Sequence, residues 1–100
     1  MTFKVIWTDS ALADVRDIYE YVYNLAGAAA ADKLAADLMA STRFLPEFPR
    51  LYPAFPSAVD ERTRHIIVRS TWRVLYWVDD DSRCCDILTV VYGRRKIDPK

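Results

Sequence analysis

The side chains with the greatest chemical capacity in this 100-residue chain are arginines, and they are unevenly spread. Residues 62–78 hold Arg62, Arg64, Arg69 and Arg73 without a single acid, and residues 94–96 add Arg94, Arg95 and Lys96. A guanidinium is permanently charged, and its planar fork of donors grips phosphate or carboxylate oxygens bidentately. The stretch Trp72–Val78 reads WRVLYWV. Period-two alternation puts Val74, Tyr76 and Val78 on one face of a strand and Arg73, Leu75 and Trp77 on the other. The first set suits a core, and the second is expected to expose an arginine between large apolar groups. Hairpin pairing is expected to bring in Arg64, with Arg94 and Arg95 following the last strand. The expected site is thus a cationic cluster on the open face or rim of a sheet. On composition alone, a solvated basic face matched against acidic helices explains the same residues.

Other chemistry is thinly represented. His65, the single histidine, is the one ready acid or base, and no nucleophile is placed beside it to complete a triad. A histidine within a strand is more often structural. Cys84 and Cys85 are adjacent, so in a strand they point to opposite faces and make a poor disulfide. Glycine-rich phosphate loops, HExxH and paired CxxC motifs are all missing, which argues against nucleotide folds and zinc sites. The triplet Asp79-Asp80-Asp81 reads as a solvated turn, because three adjacent carboxylates rarely converge on one ion. No metal and no cofactor is expected.

These residues need elements to position them. Phe3–Trp7 reads as an opening strand, and Thr8, Asp9 and Ser10 offer helix-capping oxygens. Ala11, Leu12, Val15, Ile18, Tyr19, Val22, Leu25 and Ala26 then recur at three- and four-residue spacing with acids between them, predicting an amphipathic helix ended by Gly27. A second helix is predicted from about Ala29 to Leu45, stopped by Pro46, to form a helical hairpin. Residues 46–60 carry four prolines with Phe48, Tyr52 and Phe55, and read as an ordered loop pinned to the domain by its aromatics. RHIIVR at 64–69, WRVLYWV at 72–78 and CDILTVVY at 85–92 read as three strands in antiparallel succession. The prediction is one α+β domain over residues 1–100, ordered β-α-α-β-β-β, with a helical hairpin on a mainly antiparallel twisted sheet.

Composition bounds the rest. Fourteen basic and fourteen acidic residues sum to zero net charge, which excludes a uniformly basic nucleic-acid coat. Residues 8–37 nevertheless hold six acids against two bases, so an acidic helical half faces an arginine-bearing sheet half. An apolar content of 52% excludes disorder, and in so small a domain some apolar surface is expected to stay exposed for a protein partner. The longest uncharged run, Tyr21–Ala31, is too short for a membrane span, and no signal peptide is expected from the opening residues. A reduced, cytoplasmic setting is expected.

The element order resembles the RelE/ParE toxin superfamily, the plasmid-stabilisation group of type II toxin–antitoxin systems. The resemblance is carried by Trp72-Arg73-Val74-Leu75-Tyr76 and by Ile87–Tyr92 with Gly93-Arg94-Arg95. The first helix and the Tyr52-Pro53 loop before Arg64 add to it. It implies one of two activities. RelE-like members are metal-independent ribonucleases that cut mRNA in the ribosome, whereas ParE-like members inhibit DNA gyrase by binding it. Arg73 and Arg95 match arginines of the RelE-like reaction, and Arg64, His65 and Tyr92 complete the residues a ribonuclease reading would use. The tail after Arg95 lacks the Tyr or His of RelE-like enzymes, and residues 60–71 lack their lysines. The resemblance therefore favours the ParE-like branch, with Arg64, Arg73, Trp77, Arg94 and Arg95 contacting target or antitoxin. It also implies a cognate antitoxin, which would supply most of any operator DNA contact. A ribosomal mRNA endonuclease and a degenerate, non-toxic member are the alternatives.

Overall fold

The computed structural model describes residues 2–56 and 60–93. The element order is β1 (Lys4–Trp7), α1 (Asp9–Ala26), α2 (Ala28–Ala40), β2 (Arg64–Val68), β3 (Trp72–Asp79) and β4 (Cys84–Tyr92). The β-α-α-β-β-β order expected from the sequence is present. The strands lie in the order β1-β4-β3-β2, with β1 parallel to β4 and the other pairings antiparallel.

Thr8 joins the first two elements. Its hydroxyl oxygen accepts from the Ala11 N–H as the helix cap and also donates to the Ile87 carbonyl at 2.7 Å. One hydroxyl thus starts α1 and fixes it to β4. Gly27, at φ 95°, ends α1 by donating its N–H to the Tyr23 carbonyl and directly precedes α2. Only a residue without Cβ takes this left-handed conformation freely, so the two helices turn back on a single residue.

The second helix stops at Ala40, short of the predicted Leu45. The Ser41 and Thr42 hydroxyls donate to the carbonyls of Leu38 and Met39, drawing the ladder into successive turns over residues 41–47. Leu45 is still fully buried, so its side chain holds the place the apolar pattern gave it.

Ala11, Leu34 and Leu38 of the helices pack with Leu45 and with Ile66, Val68, Val74, Tyr76, Cys85, Ile87 and Val90 of the sheet. Burying each larger aliphatic of this set contributes roughly 1.5–3 kcal/mol. Tyr76 is completely buried, its hydroxyl donates to the Pro49 carbonyl at 2.8 Å, and burial pushes its phenol up to about 12. The expected anchoring of the proline-rich loop is therefore present, through Phe55, Tyr52 and the Pro49 carbonyl, whereas Phe48 is exposed.

A bulge lies between β3 and β4: Leu75 faces Thr89, but Tyr76 faces Ile87, leaving Leu88 without an opposite residue. Beyond Ile87 the outer edge of β4 also loses its partner, because β1 ends at Trp7. Asp14 of α1 fills that place. Its carboxylate accepts from the Val90 N–H at 3.0 Å and from the Thr89 hydroxyl at 2.5 Å.

The hairpin between β2 and β3 turns through Arg69 (φ 56°) and Ser70 (φ 60°), closed by the Thr71 N–H on the Val68 carbonyl. Two successive left-handed residues match the twist of a tight hairpin, but side chains bearing Cβ are strained there. Arg69 is further held by Asp37 of α2 at 2.7 Å, a surface pair that contributes about 0–1 kcal/mol. Replacing Ser70 by Gly removes the strain at a position whose side chain makes no bond among the described residues. Ser70→Gly is expected to raise unfolding stability by about 1 kcal/mol in urea titration, with an unchanged slope.

Candidate functional site

The register of the sheet sorts the candidate residues between its two faces. Directly opposed residues share a face. Arg64 opposes Tyr76 and Ile66 opposes Val74, which places Arg64 on the helix-covered side. His65 opposes Leu75 and Ile67 opposes Arg73, on the other side. Arg64 and Arg73 therefore project from opposite faces of the sheet, and the cluster expected from hairpin pairing does not form between them. The residues alternate as the sequence implied, but a guanidinium on β2 and one on β3 share a face only if their register matches.

Each arginine is also occupied internally. Arg64 donates to the Tyr52 carbonyl at 2.6 Å and so holds the loop before β2. Arg73 is 8% exposed, where the alternation had predicted an open arginine. Its aliphatic stem and guanidinium pack on Gly93, where a Cβ would come within 2.8 Å of Arg73 Cγ and 2.9 Å of Cζ. The Gly93 N–H donates to the Thr71 carbonyl, which fixes this backbone against the hairpin. The NH1 group of Arg73 has no hydrogen-bond partner among the described residues.

Beside Arg73 stands His65, also buried. The segment Pro53–Phe55 crosses the outer edge of β2 as a strap. The His65 N–H donates to the Pro53 carbonyl at 3.1 Å, and the Phe55 N–H donates to the Thr63 carbonyl at 2.8 Å. The Phe55 ring meets the imidazole edge-on with centroids 5.1 Å apart. Phe55, His65 and Leu75 are thus buried apart from the main core, under the strap. Burial, and secondarily the Arg73 charge, holds the imidazole below its usual pKa, while carbonyls of Pro53 and Ala54 partly offset them. At neutral pH the ring is uncharged.

The remaining candidates lie apart. Trp77 is half-buried; its indole N–H donates to the Thr63 hydroxyl at 2.9 Å and the Arg62 guanidinium sits 4.6 Å above its ring. Tyr92 opposes Trp72 and meets it edge-on at 5.4 Å, on the face away from Arg73. Arg94 and Arg95 lie outside the described residues. Among the described residues no group of histidines, cysteines and acids is arranged to hold a metal. Cys85 is fully buried and its thiol is pushed up to about 11, so it is neither ligand nor nucleophile at neutral pH.

Sequence reasoning missed the contacts that Asp14, Phe55 and Gly93 make. Phe55 had a signal in the aromatic spacing of the loop, and Gly93 in its place at the end of a strand. Asp14 had none, since an acid between the apolar positions of a helix reads as solvent-facing.

The sequence matches the family model described as the ParE toxin of the type II toxin–antitoxin system, parDE, over residues 5–97. The chain belongs to the ParE toxin family. Solved structures agree in fold. A chain of the chromosomal ParDE system of P. aeruginosa superposes with a TM-score of 0.77 at 20% identity, covering 90% of this toxin and 95% of that chain. A chain of the RelBE2 toxin–antitoxin complex of Mycobacterium tuberculosis gives 0.66 at 20% identity, covering 92% and 99%. A mutant E. coli RelE toxin in the free state gives 0.59 at 19% identity, covering 97% and 90%. No curated protein matches the sequence. No helix among the described residues is long and apolar enough to cross a membrane.

The contact between Arg73 and Gly93 is testable by stability. Gly93→Ala forces a methyl into the Arg73 side chain and is expected to cost about 1–3 kcal/mol in urea unfolding. In an Arg73→Ala background the same change is expected to cost much less, because the clashing atoms are gone.

Proposed function

We propose that this ParE-family toxin acts by binding DNA gyrase and that its own side chains make or break no bond. The observation that carries this reading is the split of the ribonuclease candidates across the sheet. A general base must reach the proton it removes, and phosphate-holding cations must converge on one phosphate. Arg64 and Arg73 lie on opposite faces, Tyr92 faces away from Arg73, and His65 is closed under the strap. What the surface offers is contact area. Arg62, its side chain 70% exposed, lies over Trp77, and such cation–aromatic pairs make good interface anchors.

A cognate antitoxin is the second partner we assign. The M. tuberculosis relative is solved as a toxin–antitoxin complex. This chain exposes Tyr21 and Leu25 on α1, and Phe44, Phe48 and Leu51 beyond α2, more apolar surface than a solitary domain of this size needs. The cytoplasm, where gyrase acts, is the proposed setting, with operator DNA contacted mainly by the antitoxin.

A supercoiling assay with purified toxin tests the target. Inhibition of gyrase at micromolar toxin, relieved by antitoxin, is expected, together with intact mRNA in a translation extract. Unaffected supercoiling or codon-dependent mRNA cleavage would overturn the reading.

A further inference from the structure

The strap and the histidine beneath it form a small buried unit that target binding does not explain. His65 is enclosed on every described side. From the strap, Pro53, Ala54 and Phe55 present no titratable group. From β3, Leu75 stands opposite and Arg73 lies one same-face position away, its positive charge acting on the ring. From β2, the same-face neighbours Thr63 and Ile67 are uncharged, and from β4 so are Thr89 and Val91. Asp86 shares this face but stands opposite Trp77, beyond Leu75 from Arg73. Among the described residues, the charge that bears on the imidazole is therefore a cation.

The ring nitrogen Nδ1 is buried without a hydrogen-bond partner among the described residues. A neutral imidazole tolerates this, because one of its nitrogens is only an acceptor. An imidazolium carries N–H groups on both nitrogens, and the Pro53 and Ala54 carbonyls only partly offset the cost of burying its charge beside Arg73. Lifting the strap admits water to the ring, and it breaks the two backbone hydrogen bonds to β2 and the Phe55 ring contact.

We propose that the 53–55 strap is an acid-released latch, shut over β2 while His65 is neutral and opened when His65 takes up a proton. Opening frees the Thr63 carbonyl and the His65 N–H on the outer edge of β2 and uncovers Phe55 and Leu75. The toxin gains an apolar surface beside an unpaired strand edge, which suits an extended segment adding as a further strand. In the open state the histidine titrates near its ordinary value of about 6.5. Its affinity for the proton is lower in the closed state. The closed state is therefore fully favoured above that pH and loses ground as pH falls through it.

Amide hydrogen exchange followed by NMR tests the latch on the intact chain. The Phe55 and His65 amides, donors of the two strap bonds, report its opening, and the Ile66 and Val74 amides of the β2–β3 ladder serve as controls. Between about pH 7.5 and about pH 5.5, strap protection corrected for intrinsic rates is expected to fall roughly fivefold to tenfold. The control amides are expected to hold. His65→Phe keeps a ring against Phe55 and cannot titrate, so its strap protection is expected to stay flat. Arg73→Met, which removes the repelling charge, is expected to shrink the wild-type loss and supplies the comparison if the first variant does not fold. Wild-type strap amides that keep their protection at the lower pH overturn the proposal. So does an equal loss in His65→Phe, or an undiminished loss in Arg73→Met.

Discussion

The fold depends on keeping β4 paired along its length, because β4 joins the hairpin strand beside it to β1, some eighty positions away in the chain. β3 supplies one side through a hairpin. The other side has only the four residues of β1, and past Trp7 it has none. An unsatisfied buried N–H costs about 1–3 kcal/mol, and an open edge invites a foreign strand. The Asp14 carboxylate on the Val90 N–H answers both needs. Because Asp14 lies in the second turn of α1, its bond helps to set the angle at which that helix lies along the sheet. Thr8, bonded to the Ile87 carbonyl, fixes the start of the same helix. Two side chains a turn and a half apart thus align α1 with β4, and α2 follows through Gly27.

The charge segregation along the chain acquires a structural meaning from this arrangement. Acids of the helical half do not merely face solvent. Asp14 caps a strand, Asp37 holds the strained hairpin through Arg69, and Asp32 accepts from Tyr19 between the two helices. The arginines are correspondingly structural in part: Arg64 ties down the loop before β2, and Arg50 pairs with Asp80 at the far hairpin. The Arg69–Asp37 pair joins the acidic helices to the arginine-bearing sheet, and the cations left for partners are fewer than the sequence count implies.

How much of this was legible in the sequence differs by residue. The element order was, because apolar periodicity, Gly27 and the short strand connections are local signals. The end of α2 was not, because the Ser41 and Thr42 hydroxyls compete with the helix ladder while Leu45 continues its apolar pattern. Alternation assigned Arg73 to the correct face relative to Val74 and Tyr76, yet gave the wrong exposure. Exposure depends on what packs over a face, and Gly93 reaches Arg73 from twenty positions along the chain. Arg64 was misplaced relative to Arg73 because register between strands is set by the turn and the core together, and neither strand encodes it alone.

The bulge at Leu88 has one further consequence. Before it, Cys85 and Ile87 point into the core; after it, Val90 does. β4 is therefore two half-strands of opposite parity joined by one extra residue. A uniform strand can slide two positions against its neighbours and recover its inside and outside. This one cannot, since any slide brings the parity break against regular pairing and turns an apolar side chain out or a polar one in. The bulge works as a key cut into the strand, and it admits a single alignment of the sheet on which both the strap and the arginines depend.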